Sequence, residues 1–189
     1  MKNLVFISSF LVAMMFAAVS CSKKNDPVPV PVQKQITTTW TIPIKGYAGQ
    51  TSIVDKFAIN LADVSGVDAK NFISGEFQNS GGSIQISGLN KMDGVVLNNF
   101  SIQVNSAAAV NFGKVTANPG TNDFESDVQQ SGDKVNSLLK SLFTAYTGNS
   151  KTANLTITFT PSGDINPADN VKLLVVILGK YNWNTFPNN

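Results

Sequence analysis

Three stretches of this chain carry side chains that could do chemistry, and the first is a polar loop near the C-terminus. Asp164, Asn166 and Asp169 lie close together in the segment DINPADN. Their carboxylate and amide oxygens are the ligands that a hard cation such as Ca²⁺ prefers, but the loop lacks the alternating spacing and the glycine of a known calcium loop. Asx turns between strands use the same residue types. The sequence therefore predicts a turn here, with a weak cation site as the alternative.

The second stretch, Asn122 to Asp127, concentrates acidic residues. A pair of carboxylates can hydrolyse a glycosidic bond when a fixed distance separates them, and an acidic cluster can also bind a cation. However, Asn122 followed three residues later by Glu125 also fits the pattern that caps the start of a helix. A carboxylate-dependent hydrolase is therefore kept as a third alternative, behind a binding or scaffolding role and a carbohydrate-binding role.

The third group consists of aromatic residues. Tyr181 and Trp183 alternate on one face of a predicted strand, and Trp40 lies near the other end of the chain. Sugar-binding modules stack sugar rings on such aromatic faces, because the apolar C–H face of a sugar suits them. The same spacing also arises from core packing, because tryptophan and tyrosine are favoured in strands. Both interpretations stay open at this point: an exposed ligand-binding platform, or part of the core.

The residue types that are missing exclude several kinds of chemistry. The chain has no histidine and a single cysteine, Cys21. The commonest general base and metal ligand are therefore absent, and the chain cannot form an internal disulfide or a cysteine-based zinc site. With a formal net charge of +2, scattered lysines and no arginine, it lacks the basic surface of nucleic-acid-binding proteins. We expect a non-enzyme without a metal or a nucleic-acid partner.

The N-terminus has the pattern of a secretory signal. Lys2 supplies a positive start, and the segment from Leu4 to Val19 is almost wholly apolar. This run is shorter than the ~20 apolar residues that a membrane span requires, and small residues follow it, as before a cleavage site. The pattern predicts that residues 1–20 are a signal peptide.

The residues around the cysteine resemble a lipobox. Ala18-Val19-Ser20-Cys21 is similar to the site at which bacterial lipoproteins, including those of the Bacteroidota type, receive their lipid. It departs from the commonest pattern at Ala18, where leucine is usual. The resemblance implies a type II signal peptide, with diacylglycerol and an N-acyl chain such as palmitate on Cys21 as the only covalent groups. Ser22, in place of aspartate, resembles lipoproteins that are sent to the outer membrane. The alternative is an ordinary signal cleavage that leaves Cys21 as a free thiol.

The segment after the cysteine is predicted to be a stalk. Pro27, Pro29 and Pro31 alternate with valine, which favours polyproline II at about 3.1 Å per residue. Residues 21–35 would then be the lipidated cysteine and its stalk. A stalk of this kind suits a domain that meets a partner away from its own membrane.

The remaining residues, 36–189, are predicted to form one domain of mainly β structure. Residues alternate in polarity from Ile36 to Ile44, where Pro43 indicates an edge strand or a strand end. A second strand is predicted from Thr51 to Leu61, with Ile53, Phe57, Ile59 and Leu61 in phase. A longer strand is predicted from Val95 to Asn105, with Val96, Phe100, Ile102 and Val104 facing inward. The segment from Val171 to Leu178 is apolar on both faces, which predicts a central strand covered by the helix on one face and by a second sheet on the other.

One amphipathic helix is predicted before the last two strands. Its apolar stripe has the helical period, with Ser131 as the N-cap and Gly148 as the stop; the stripe comprises Val135, Leu138, Leu139, Leu142, Phe143 and Tyr146. Strands with one polar face and a single helix predict an antiparallel two-sheet β-sandwich. This order of elements also resembles small β-sandwich lipoproteins of Bacteroidota.

The sequence thus predicts a non-catalytic, lipid-anchored protein of the cell envelope with a binding or scaffolding role. It would be attached to the outer membrane and would face either the periplasm or the cell surface. The alternative is a carbohydrate-binding accessory of polysaccharide capture that uses Trp183, Tyr181 and Trp40. The expected partners are the membrane, through the lipid, and a glycan or an envelope protein.

Overall fold

Alternating apolar and polar residues build two sheets that share one hydrophobic core. The computed structural model describes residues 27–92, 94–116, 123–125 and 132–186, and Pro31–Thr185 is a compact unit. The described ranges contain nine strands and one α-helix: β1 (Val30–Pro43), β2 (Ser52–Asn60), β3 (Phe72–Phe77), β4 (Ser83–Ser87), β5 (Val96–Val104), β6 (Val110–Thr116), β7 (Asp123–Glu125), α1 (Gly132–Thr147), β8 (Thr152–Pro161) and β9 (Lys172–Thr185).

The strand order makes this fold an antiparallel sandwich. The first sheet has the order β1-β9-β4-β7, and β3 also pairs with β9; the second sheet has the order β2-β8-β5-β6. β9 is therefore central, while β1 and β2 are edge strands. The helix α1 precedes β8 and β9, the last two strands. The predicted mainly β sandwich, with one helix before its last two strands, is confirmed.

β1 shows the predicted alternation and begins earlier than the predicted domain. Trp40, Ile42 and Ile44 are buried, and the residues between them are exposed. Pro43 is the last residue of this edge strand, where a missing N–H costs no ladder hydrogen bond. Residues 30–35, expected in the stalk, are already in the strand. The side-chain Nε2 of Gln33 donates a hydrogen bond to Asn182 Oδ1 at 2.7 Å. Valine at alternate positions suits an edge strand as well as polyproline II.

The pairing of β2 contains a β-bulge that the sequence did not reveal. The register with β8 shifts between Val54 and Phe57, and Lys56 in between has a φ of 56°. A bulge adds one residue, so the side chains on its two sides no longer follow a single alternation. Phe57 and Ile59 face the core as predicted, whereas Ile53, predicted to share their face, is 62% exposed.

The helix α1 forms with the predicted buried stripe. All six residues of that stripe are buried, and the helix ends one residue before Gly148; the predicted N-cap, Ser131, lies outside the described residues. The helix packs against β3 of the first sheet and β8 of the second. Two glycines of the first sheet leave room for the helix at this position. A Cβ at Gly75 or Gly179 would come within about 3 Å of the Phe143 ring.

The prediction for the two faces of β9 is wrong in one respect. The helix and the second sheet both pack on the same face of β9, the one that carries Ile177 and Tyr181. The opposite face carries half-buried aliphatic residues, Leu174, Val176 and Leu178. Leu178 is covered there by the chain at Gly81, where a Cβ would clash with its side chain. The apolar residues on the outer face of β9 are therefore half-buried by nearby chain segments, without a second layer of secondary structure over that face in the described part of the chain.

Candidate functional site: a crevice between two edge strands

The three aromatic residues that we considered as a ligand platform lie in the core. The exposed fractions of Trp40, Tyr181 and Trp183 are 7%, 0% and 5%. Trp40 makes an edge-to-face contact with Tyr146 at a centroid distance of 5.3 Å, and Phe143 lies 5.5 Å from Tyr181. The structure therefore agrees with core packing for these rings, and they present no exposed face for stacking on a sugar.

Two tyrosine hydroxyls complete this aromatic cluster. The hydroxyl oxygens of Tyr146 and Tyr181 lie 2.7 Å apart, so one donates a hydrogen bond to the other. Burial raises the pKa of both residues, because the core disfavours the phenolate. The hydrogen bond with Tyr146 and the nearby Thr38 hydroxyl act in the opposite direction on the pKa of Tyr181, and burial outweighs them. Thr38 Oγ1 itself has no hydrogen-bond partner among the described residues. Both phenols are neutral and structural.

The loop that we considered for a cation uses its carboxylates to hold a turn. Asp164 Oδ1 accepts a hydrogen bond from the Ala48 backbone N–H at 2.8 Å, and Asp169 Oδ2 accepts one from the Asn166 N–H at 2.6 Å. Residues 167–169 form a 3-10 turn that starts with Pro167. Among the described residues, no group of three or more metal-ligating side chains comes together. The arrangement is that of the predicted turn.

Several other predicted residues lie outside the described residues or side chains. Cys21 precedes the described part of the chain, so its lipidation stays a prediction. In the acidic stretch, Asn122 and Asp127 are not described, and residues 123–125 form β7, which pairs with β4 through its backbone. The carboxylate-dependent hydrolase therefore gains no support from this stretch.

The structure instead presents a crevice that the sequence did not indicate. It has a volume of about 880 Å³ and lies between the end of β1, the first half of β2 and the loop that leads into β9. Backbone hydrogen bonds hold these segments together: Gly46 N–H donates to Ile165 O at 3.1 Å, and Ile165 N–H donates to Gly46 O at 2.8 Å. Because β1 and β2 are edge strands, no further strand of the described chain closes this side of the sandwich.

The walls of the crevice are mostly apolar. Buried residues of the core, among them Ile42, Ile44 and Val171, contribute to its lining. Tyr47 and Ile53 also line it and are 65% and 62% exposed. A mostly apolar concavity with a few polar groups is the usual form of a small-molecule site, and this volume is within the usual range of about 300–1,000 Å³.

The charged side chains in the described lining of the crevice are both lysines. Among the described lining residues, the ionisable ones are Lys45, Lys172 and Tyr47. Neither lysine has an ion-pair or hydrogen-bond partner among the described side chains. At neutral pH the described lining is therefore positively charged, and this positive charge lies beside apolar walls.

Sequence reasoning missed both exposed apolar residues of this site for an identifiable reason. A single alternation along β2 places Ile53 on the core face, because the bulge at Lys56 leaves no mark in the local pattern. Tyr47 lies in the turn after β1, where an aromatic residue between Gly46 and Gly49 was the available signal. The crevice itself depends on which edge strands lie side by side, and no local pattern contains that information.

Comparison of the chain with protein-family models, curated proteins and solved structures finds no match. Its function is therefore argued from the site. The helix of the described residues is too short and too polar to cross a membrane.

Proposed function

We propose that this chain is a non-catalytic, lipid-anchored binding protein of the bacterial outer membrane, and that the crevice between β1 and β2 is its binding site. The observation that carries the proposal is the exposure of Tyr47 and Ile53 beside a large, mostly apolar crevice. Exposed apolar groups gathered around a concavity indicate a surface that gains stability when a ligand covers it.

The position of the crevice supports an anchored binding protein. The compact unit begins at Pro31, and the crevice lies around residues 42–47 at the other end of β1. At about 3.3 Å per strand residue, this separation is roughly 40 Å. A chain tethered through its N-terminal side would thus carry its binding site far from the point where the tether enters the fold.

The glycan-binding alternative has less support. It relied on Trp183, Tyr181 and Trp40 as an exposed platform, and these rings are buried in the core. A sugar ligand would therefore need a different surface from the one that the sequence suggested.

The anchoring is tested by labelling cells with a palmitate analogue and by fractionating membranes. We expect the label on the wild-type protein, and we expect Cys21→Ser to lose both the label and the firm membrane attachment. An unlabelled wild-type protein, or a variant that stays equally firmly in the membrane fraction, would overturn the lipid anchor.

The binding site is tested with a neutral fluorescent probe, N-phenyl-1-naphthylamine, and protein that begins at residue 22, which retains the compact unit. We expect the probe to bind the wild type and expect Ile53→Asp to weaken binding, because it places a carboxylate in the apolar lining. Ile73→Asp is the matched control, since Ile73 is a 56% exposed strand isoleucine outside the lining. Failure to bind, or equal loss in both variants, would remove the crevice as a site.

A further inference from the structure

We propose that the ligand of the crevice is an anionic amphiphile, a molecule with an apolar body and one carboxylate, whose head group is held by Lys45 and Lys172. This inference rests on the proposed function, because it names the class of ligand for the same site. It follows from the combination of two features of the lining: apolar walls and a cationic edge.

The two lysines lie close together in the chain pairing, Lys45 just after the end of β1 and Lys172 at the start of β9. The Ile44 N–H donates to Val171 O at 2.9 Å, and Lys45 and Lys172 are the next residues along each segment. Such diagonal neighbours in an antiparallel pair have Cα atoms about 7–8 Å apart. Two ammonium groups on these positions can reach the same small anion.

The described lining of the crevice adds no acidic side chain to this pair of like charges. The acidic residues of the adjacent loop, Asp164 and Asp169, accept hydrogen bonds from the backbone N–H groups of Ala48 and Asn166, and neither belongs to the described lining of the crevice. Two positive charges close to each other repel. A ligand carboxylate would relieve this repulsion and gain charge-assisted hydrogen bonds from both lysines.

The apolar part of the lining sets the rest of the ligand. Tyr47, Ile53 and Phe57 offer aromatic and aliphatic surface within the same crevice, and covering this surface removes it from water. A small inorganic anion would leave these walls exposed, whereas an uncharged hydrocarbon would leave the two lysines unpaired. An anionic amphiphile satisfies both parts of the lining.

The test compares three ligands that share one chain and differ in the head group. Octanoate, octan-1-ol and octyltrimethylammonium compete with N-phenyl-1-naphthylamine on protein that begins at residue 22. We expect octanoate to displace the probe at about tenfold lower concentration than the other two, because a hydrogen bond to a charged group contributes about 1.5–3 kcal/mol. Equal displacement by all three ligands would overturn the ligand class.

A matched pair of double variants tests the role of the lysines. Lys45→Gln with Lys172→Gln is expected to abolish the preference for octanoate and to leave displacement by octan-1-ol unchanged. Lys114→Gln with Lys140→Gln removes the same charge from exposed positions outside the lining and is expected to retain the preference. If the preference survives the first pair, or is lost equally in both pairs, the lysine assignment is wrong.

Probe binding without any head-group preference would leave the crevice as a site and reject only its ligand class, whereas absent probe binding would reject both.

Discussion

The hydroxyl groups of Tyr146 and Tyr181 meet inside the sandwich, with their oxygens 2.7 Å apart. This contact joins α1 to the central strand β9 at a position where neither hydroxyl reaches solvent. A buried hydroxyl is destabilising when it has no partner, so each tyrosine depends on the other. The contact thereby fixes how the helix sits between the two sheets.

The first prediction concerns this hydroxyl pair. Tyr146→Phe and Tyr181→Phe should each lower the free energy of unfolding by about 1–3 kcal/mol, because each leaves one buried hydroxyl unpaired. The double variant should lose less than the sum of the two single losses, since no orphan hydroxyl remains. Urea denaturation of the four proteins measures the coupling, with Tyr47→Phe as the exposed control. Additive losses would contradict the prediction.

The second prediction concerns alkaline pH. Burial raises the pKa of Tyr146 and Tyr181 in the folded protein above the ordinary value of 10.0. A raised pKa in the folded state contributes stability that is fully present below the unfolded pKa and is lost as the pH rises towards the folded pKa. The free energy of unfolding should therefore fall above about pH 10.

This fall should be smaller in the Tyr146→Phe, Tyr181→Phe double variant. Both proteins carry the same lysines, so the difference between their pH profiles isolates the two phenols. Chemical denaturation at a series of pH values measures it. Parallel profiles for the two proteins would show that these tyrosines do not cause the pH dependence.

The third prediction separates a core role from a ligand role for the tryptophans. Trp40→Ala and Trp183→Ala should each cost about 3–5 kcal/mol of stability, the usual range for deleting a buried aromatic ring. Tyr47→Ala, at a 65% exposed position of the crevice, should change stability little and weaken probe binding. Thermal unfolding measures the stability of all three variants, and a probe titration measures binding by Tyr47→Ala. Wild-type stability of Trp183→Ala would contradict the core assignment.

The fourth prediction concerns the close approach of α1 to β9. A Cβ at Gly179 would clash with the ring of Phe143, so Gly179→Ala should destabilise the protein by about 1–3 kcal/mol through overpacking. Adding Phe143→Leu should recover part of this loss. Gly132→Ala is the control, because a Cβ there meets nothing within 4 Å and alanine favours a helix. Equal effects at Gly179 and Gly132 would contradict the packing of the helix.

The fifth prediction concerns where the folded domain begins. Protein that starts at residue 36 lacks the first residues of β1 and the hydrogen bond from Gln33 to Asn182. It should unfold at a lower temperature than protein that starts at residue 22. Gln33→Ala in the longer protein separates the contribution of this one contact from that of the strand. Equal unfolding temperatures for the two lengths would restore residue 36 as the start of the domain.

Local patterns predicted much of this fold. The period of two in β1 and the helical stripe of α1 appear in the structure at the predicted residues. Pro43 indicates an edge strand or a strand end, and the residue types around Asp164 indicate a turn. These features depend on neighbours a few residues apart, so the sequence contains them directly.

Bulges limited the same reasoning in β2 and β5. A register shift next to Lys56 exposes Ile53, and an irregularity before Phe100 buries Leu97 instead of Val96. Each bulge is set by pairing with β8, a strand distant in sequence. Alternation within one strand therefore could not assign its faces across the irregularity.

By itself, the sequence predicted a mainly β domain with one helix, and its composition lacks histidine and arginine; the lipoprotein pattern of its N-terminus stays a prediction. Only the tertiary structure decided that Trp40, Tyr181 and Trp183 are core residues, and that Tyr47 and Ile53 lie exposed beside Lys45 and Lys172. Side-chain periodicity is a property of one segment. A crevice, in contrast, requires β1, β2 and the loop before β9 to meet, and that meeting is set by long-range pairing and by the helix that packs between the sheets.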